Sequence, residues 1–248
     1  MSSLTLKTGN KPPSHITGAI IANMFIASYE LIDKHIELVN GLNVFPVPDG
    51  DTGTNMAMTM KAVSAAITNT LNSESNDLDD ISRVMARASL MEARGNSGVI
   101  LSQFFKGIAQ GVGDKKSLDV EEWAICMGKA KESAYSAVGN PTEGTMLTVI
   151  AEVSRQANTS SKNGDTLESL FNQTSIQIKE TVKNTPQLLP ILAEAEVVDA
   201  GAYGLDIIFE GLRRNLNGLP VADVEIPVPG MKNYKNFALP SKIFLTQS

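Results

Sequence analysis

Two aspartates, Asp49 and Asp51, flank a glycine in the segment Asn43-Val44-Phe45-Pro46-Val47-Pro48-Asp49-Gly50-Asp51-Thr52-Gly53-Thr54-Asn55-Met56. In an extended turn, carboxylates at this spacing converge on a divalent cation, and Gly50 lets the backbone approach closely. Pro46 and Pro48 stiffen the approach, because each fixes its own φ and biases its predecessor away from helix. Thr52, Thr54 and Asn55 follow at the start of a helical run, where free N–H groups attract phosphate. The same residues also read as an Asp-Gly-Asp turn with Thr54 or Asn55 as helix cap. That plainer reading leaves the Pro-x-Pro lead-in and the rest of the polar cluster without a task.

Three more segments place small or polar residues just before a helical run. They are Ala93-Arg94-Gly95-Asn96-Ser97-Gly98, Asn140-Pro141-Thr142-Glu143-Gly144-Thr145-Met146 and Val198-Asp199-Ala200-Gly201-Ala202-Tyr203-Gly204. Each alone is weak, since an ordinary N-cap looks the same. Four of them in one helical chain indicate a binding rim at the ends of a bundle. A Gly-x-x-x-x-Gly-Lys-Ser/Thr phosphate loop is absent, and there is no dinucleotide fingerprint. His15 and His35 have no metal-spaced partner and are read as structural or solvent-facing. No Ser-His-Asp arrangement emerges.

The elements that must position these loops read almost entirely in helical period. Apolar residues recur at spacings of three, four and seven from His15 to Asn40, from Asn55 to Leu71, from Ile81 to Met91 and from Val99 to Val112. Asp119 and Glu122 form a start signal for a helix through Val138. Further helices are predicted over Thr145–Ala157, from the Asp165-x-x-Glu168 signal to about Lys183, and over Ala202–Leu216, with Pro186 and Pro190 bounding a short piece between the last two. Strand signals are poor, so the expected fold is all-α: seven or eight helices in a bundle or helical barrel. The expected layout is a flexible stretch over residues 1–13, a helical domain over 14–217, and a loosely packed tail over 218–248. That tail holds Pro220, Pro227, Pro229 and Pro240 of the 11 prolines.

Composition narrows the function classes. With 21 Lys+Arg against 27 Asp+Glu the net charge is −6, and without a basic block this argues against a nucleic-acid or membrane-surface partner. It leaves ATP open, because divalent cations bridge carboxylates to phosphates. The single cysteine, Cys126, excludes an internal disulfide and a multi-cysteine zinc site, and reads as a small core residue. No apolar stretch is long enough to span a membrane, and the expected location is the cytoplasm.

At its four loops the chain resembles the ATP-binding subunit of bacterial fatty acid kinase, which is itself similar to the ATP-binding subunit of dihydroxyacetone kinase. The match runs in order through Asn43–Met56, Ala93–Gly98, Pro141–Leu147 and Val198–Gly204. The resemblance implies an antiparallel eight-helix barrel holding ATP or ADP with two Mg²⁺ ions at one end. Asp49 and Asp51 would be the catalytic metal ligands. The dihydroxyacetone kinase pattern has a third aspartate where this chain has Val44, and Asn43 is the nearest substitute. Thr52, Thr54 and Asn55 would face the phosphates, and Gly95, Asn96, Ser97 and Gly98 would receive them. Thr145 and Met146 would border the adenine, with Asp199, Gly201 and Ala202 closing over the nucleotide.

The activity so implied is transfer of the γ-phosphoryl group of Mg-ATP to an acceptor, a fatty acid carboxylate held by a separate carrier protein. A non-catalytic nucleotide-binding module and a dihydroxyacetone kinase-like subunit are the alternatives, and a homodimer stays open. The family's kinase subunit carries further domains that engage the carrier. Here the sequence ends soon after the nucleotide domain, which leaves that task to another chain or makes this a relative with a different acceptor.

Overall fold

A computed structural model describes residues 12–73, 76–232 and 234. Its helices are α1 (Gly18–Lys34), α2 (Ile36–Gly41), α3 (Thr52–Asn72), α4 (Leu78–Glu92), α5 (Gly95–Val112), α6 (Val120–Ser136), α7 (Met146–Asn163), α8 (Leu167–Leu188), α9 (Pro190–Glu194) and α10 (Ala200–Leu216). The only strands among the described residues are β1 (Ile16–Thr17) and β2 (Ser117–Leu118), paired antiparallel with Ile16 opposite Leu118.

The eight long helices form a closed antiparallel ring. Each packs on the next in chain order, from α1 and α3 through to α8 and α10, and α10 returns to α1. Closure depends on a close approach at Gly211, where an added Cβ would lie 2.5 Å from the Ser28 Cα. There the Ser28 hydroxyl donates to the Ile208 carbonyl at 2.7 Å. The predicted stripes face inward: Leu101, Phe104, Phe105 and Ile108 of α5 are all buried. Edge-to-face rings join Phe25 to Phe105 and Phe104 to Phe209. Cys126 is buried in this core, and burial pushes its thiol up to about 12. The expected all-α barrel is the observed fold.

Several boundaries differ from the sequence reading. The first predicted helix breaks at His35, giving α1 and α2. The short α2 and α9 are connectors, and they bring the helix total among the described residues to ten. Helix α7 runs past Ala157 to Asn163 and ends where Gly164 takes φ 68°. Pro186 lies inside α8 instead of bounding it. The carbonyl it leaves without an N–H donor, that of Val182, takes the Thr185 hydroxyl at 2.7 Å. Helix α8 is capped by Thr166, whose Oγ1 accepts from Ser169 N–H, and not by Asp165.

The Asp119–Glu122 capping box is present as predicted, with both reciprocal bonds at 2.9–3.0 Å. Asp119→Ala should lower stability by about 1 kcal/mol, read from the midpoint of urea unfolding at constant slope. An unchanged midpoint would mean the cap bonds are replaced by water at no cost.

The flexible N-terminal stretch lies, but for Pro12 and Pro13, outside the described residues, as do residues 235–248. The loose packing expected after Leu219 does not hold for Ile226 and Val228, which are buried against the ring.

Between α8 and α10 lies a partly buried ionic cluster, its two carboxylates buried and its cations reaching solvent. Lys179 bridges Asp206 at 3.1 Å and Glu210 at 3.5 Å, and Arg213 and Arg214 also reach Glu210. Burial holds the Asp206 carboxyl up at about 6 despite Lys179. For Glu210 burial is overcome by Arg213, Lys179 and Arg214, and its carboxyl falls to about 2.

Candidate functional site

Alternation around the ring puts the N-termini of α3, α5, α7 and α10 at one end of the barrel. The four segments singled out from the sequence are the connections that open these helices, and all four line one cavity of about 400 Å³. Each N-terminus carries N–H groups without intrahelical partners and the positive end of a helix dipole. Those of α7 and α10 are already engaged by Thr145 and Asp199, so the starts of α3 and α5, at Thr52, Asn96 and Ser97, are the ends that suit an anion, and Lys and Arg are absent from the cavity lining. Its apolar lining comes from Phe45, Val99, Ile100, Val138 and Leu147 among others.

Of the residues expected at the site, Thr52, Asn96, Ser97, Thr145, Met146, Asp199 and Gly201 line the cavity. The others stand around or beneath it. Asp49 is exposed on the 43–51 loop and Asp51 is part-buried as the residue preceding α3, on either side of Gly50 at φ 66°. Helix α3 opens at Thr52, so neither Thr54 nor Asn55 is its cap. Gly95, at φ 60°, leaves room for Asn55: an added Cβ would lie 2.5 Å from the Asn55 Nδ2. A Cβ on Gly98 would lie 3.2 Å from the Thr59 hydroxyl, so the second loop rests on the first turns of α3.

Asn43 is buried and braces the first loop from within. Its Nδ2 donates to the carbonyls of Phe45 and Val47, and its Oδ1 accepts from Asp51 N–H at 3.3 Å. That bond takes one of the two lone pairs of the amide oxygen. Thr145 caps α7, accepting from Leu147 N–H and donating to the Thr142 carbonyl at 2.7 Å. Ala202 contributes its N–H, which donates to Asp199 Oδ1 at 2.7 Å.

Asp199 is the buried ionisable group of the cavity, 6% exposed. Burial pushes its carboxyl up to about 7, although the N–H groups of Ala202, Met146 and Gly201 all donate to it. One carboxyl thus ties the start of α7 to the start of α10.

Sequence reading assigned no role to five residues that shape the site. Asn40 of α2 clasps Thr54, accepting from its N–H at 3.1 Å and donating to its hydroxyl at 3.0 Å. Gly53 admits α2 against α3, since an added Cβ would lie 2.5 Å from the Ile36 carbonyl oxygen. Ala137, Val138 and Gly139 complete the cavity wall after α6. None carries a spacing signal, because each acts through a contact between two elements.

The fold is a helical barrel with a cavity at one end, and Asp49 and Asp51 lie on the loop that leads into α3 beside it. The DAK2 domain model matches residues 46–214, and the chain belongs to the DAK2 domain family. It is 37% identical over 205 residues to uncharacterized proteins of Staphylococcus saprophyticus, Staphylococcus epidermidis and Staphylococcus aureus, covering 83% of this chain. The chain spans only 37% of the length of these relatives. The fold is also similar to dihydroxyacetone kinase from C. freundii crystallised with AMP-PNP and Mg²⁺, at TM-score 0.59 and 18% identity, covering 86% of this chain and 36% of that one. The native form of that enzyme matches at TM-score 0.51 and 19% identity, covering 86% and 38%. Among the described residues no helix is long and apolar enough to cross a membrane.

Proposed function

We propose that this chain is the nucleotide-binding component of a kinase, holding Mg-ATP in the α3/α5/α7/α10 cavity and passing its γ-phosphoryl group to an acceptor presented by a separate protein. The observation that carries this reading is the convergence of four helix N-termini on one cavity beside the Asp49-Gly50-Asp51 turn. A cavity of about 400 Å³ lies within the range of small-molecule sites, and its apolar lining suits a base as its N-terminal rim suits phosphates. Carboxylate oxygens are the ligands Mg²⁺ prefers. Asp49 and Asp51 would hold the metal, which when bound supplies charge neutralisation for the transferring phosphoryl group.

The rest of the site would position. N–H groups at Thr52, Asn96 and Ser97 orient the phosphates, while that of Gly98 donates to the Arg94 carbonyl, and Met146, Val138 and Leu147 enclose the base. Asn43 and Asn40 hold the loop from behind. Phosphoryl transfer asks mainly for positioning and charge stabilisation, which this set provides without Lys or Arg. With a fatty acid carboxylate as acceptor, its oxygen bonds to the γ-phosphorus as the bond to the β,γ-bridging oxygen breaks, giving an acyl phosphate and ADP. A hydroxyketone acceptor is the second reading, favoured by the likeness to dihydroxyacetone kinase.

Calorimetric titration of ATP into the protein, with Mg²⁺ and then with EDTA, tests the nucleotide site. Binding with Mg²⁺ that weakens at least about tenfold in EDTA is expected. No binding in either condition would overturn the proposal and leave the loops as a scaffold.

A further inference from the structure

The segment after α10 is clipped to the barrel at one peptide. Ile226 N–H donates to His35 Nε2 at 3.2 Å, and the Ile226 carbonyl accepts from the Tyr203 hydroxyl of α10. On its other side the His35 ring donates from Nδ1 to the Leu31 carbonyl at 2.7 Å. A carbonyl only accepts and a backbone N–H only donates, so these two bonds require the neutral ring with its proton on Nδ1. Ile226 and Val228 are buried beside this clip, and Val221, Val224 and Met231 pack on the core.

His35 is also the joint between α1 and α2. Its backbone, at φ −111° and ψ 10°, ends one helix and precedes the other. From this joint α2 runs against the first turn of α3, where Gly53 admits it, and Asn40 near its end clasps both the N–H and the hydroxyl of Thr54. Thr54 lies three residues beyond Asp51, whose N–H is held by Asn43 and whose carbonyl accepts from Asn55 N–H at 2.9 Å. A continuous set of contacts therefore leads from Ile226 through His35, α2 and Asn40 to the Asp49–Asp51 loop. Ile226, His35 and Asn40 all lie outside residues 46–214, which the family model matches.

We propose that residues 219–231 act as a strap which, through His35 and Asn40, holds the Asp49–Asp51 loop in its binding geometry. His35 and Asn40 are then positioning residues of the nucleotide site, and this part of the inference rests on the function proposed above. The strap works by fixing the angle at the α1–α2 joint. Without the clip α2 is free to tilt, and the Asn40 clasp on Thr54 loosens with it.

The test is hydrogen exchange on the full-length protein without nucleotide, combined with calorimetric titration of Mg-ATP. His35→Phe keeps a ring but removes both side-chain bonds. It should speed amide exchange over 43–55 about tenfold and raise the Mg-ATP dissociation constant by a similar factor. His35→Gln, which keeps an acceptor and a donor, should restore most of both. Tyr203→Phe should repeat the effect from the α10 side. Because His35 acts through Asn40, the His35→Phe/Asn40→Ala double variant should match Asn40→Ala alone. Loosening confined to 221–231, with loop exchange and affinity at parent values, overturns the strap, as does additivity in the double variant. A parent protein that binds no Mg-ATP, in which His35→Phe still loosens 43–55, would overturn the nucleotide reading and leave the strap supported.

Discussion

Asp51→Asn is expected to weaken Mg-ATP binding at least about 100-fold while leaving helical content and the urea midpoint close to those of the parent. The substitution exchanges one oxygen for an NH₂ of the same shape, and the parts of Asp51 that organise the loop belong to its backbone. Its N–H is held by Asn43 and its carbonyl accepts from Asn55 N–H, and an asparagine keeps both. What disappears is one negative charge beside Asp49, and a hard divalent cation responds to charge more than to shape. Loss of a ligand that neutralises phosphate costs several kcal/mol, and each 1.36 kcal/mol is a factor of ten. Asp49→Asn should behave alike, since Asp49 is exposed and reaches solvent from the other side of Gly50. Titration in EDTA supplies the control: parent and variants should converge there, because the metal is the only term removed. A variant whose affinity keeps the parent's dependence on Mg²⁺ would show that the metal is held elsewhere.

The sequence made the barrel legible because its helices are long and their stripes regular. Leu101, Phe104, Phe105 and Ile108 repeat at three and four and are buried together. The four loops were legible for a different reason, namely small and polar residues opening an apolar run, a pattern that local chemistry dictates. What stayed hidden was everything decided between elements. The stripe of α1 continues through Ile36 and Val39, so periodicity runs straight across His35, where a ring hydrogen bond and the Ile226 clip make the joint. Pro186 reads as a boundary because a helix loses a donor there, and the Thr185 hydroxyl that replaces it is visible only in three dimensions. Strands of two residues, as at Ile16 and Ser117, fall below any repeat a window can detect. The cap of α8 was placed one residue early, since Asp165 and Thr166 are both good caps and only the backbone selects between them. In the site itself, Asn40 reaches Thr54 from α2 and Gly53 of α3 admits α2 beside it, and no spacing rule links them.

Asp199→Asn should separate from the parent in a pH-dependent way. An aspartate titrates near 4 in an unfolded chain, whereas burial between α7 and α10 raises this carboxyl to about 7 in the folded protein. The folded chain therefore holds the proton more tightly. Below about pH 4 both states are protonated, and the group makes no difference to stability. Between about 4 and 7 only the unfolded chain gives up its proton, so stability falls as pH rises; above 7 the full cost remains. At 1.36 kcal/mol per unit, that cost is on the order of 4 kcal/mol. Asparagine is neutral throughout and keeps an acceptor for Ala202 N–H. The stability of the variant relative to the parent should thus rise from pH 4 to pH 7 and level off above. Asp206, held up at about 6, contributes a fall of the same sign, but it lies two turns along α10 and cancels in the difference between the two proteins. Urea unfolding of both proteins at pH 4.5, 6 and 8 measures that difference directly. A difference that stays constant across the series would mean the carboxyl ionises in the folded protein as it does in the unfolded chain, its three N–H donors having offset the cost of burial. If the difference does rise, titration of Mg-ATP at pH 8 has a sign to match. Removing an ionised carboxylate from the wall of the proposed nucleotide cavity should tighten binding there and leave it nearly unchanged at pH 6, where the parent's Asp199 largely carries its proton.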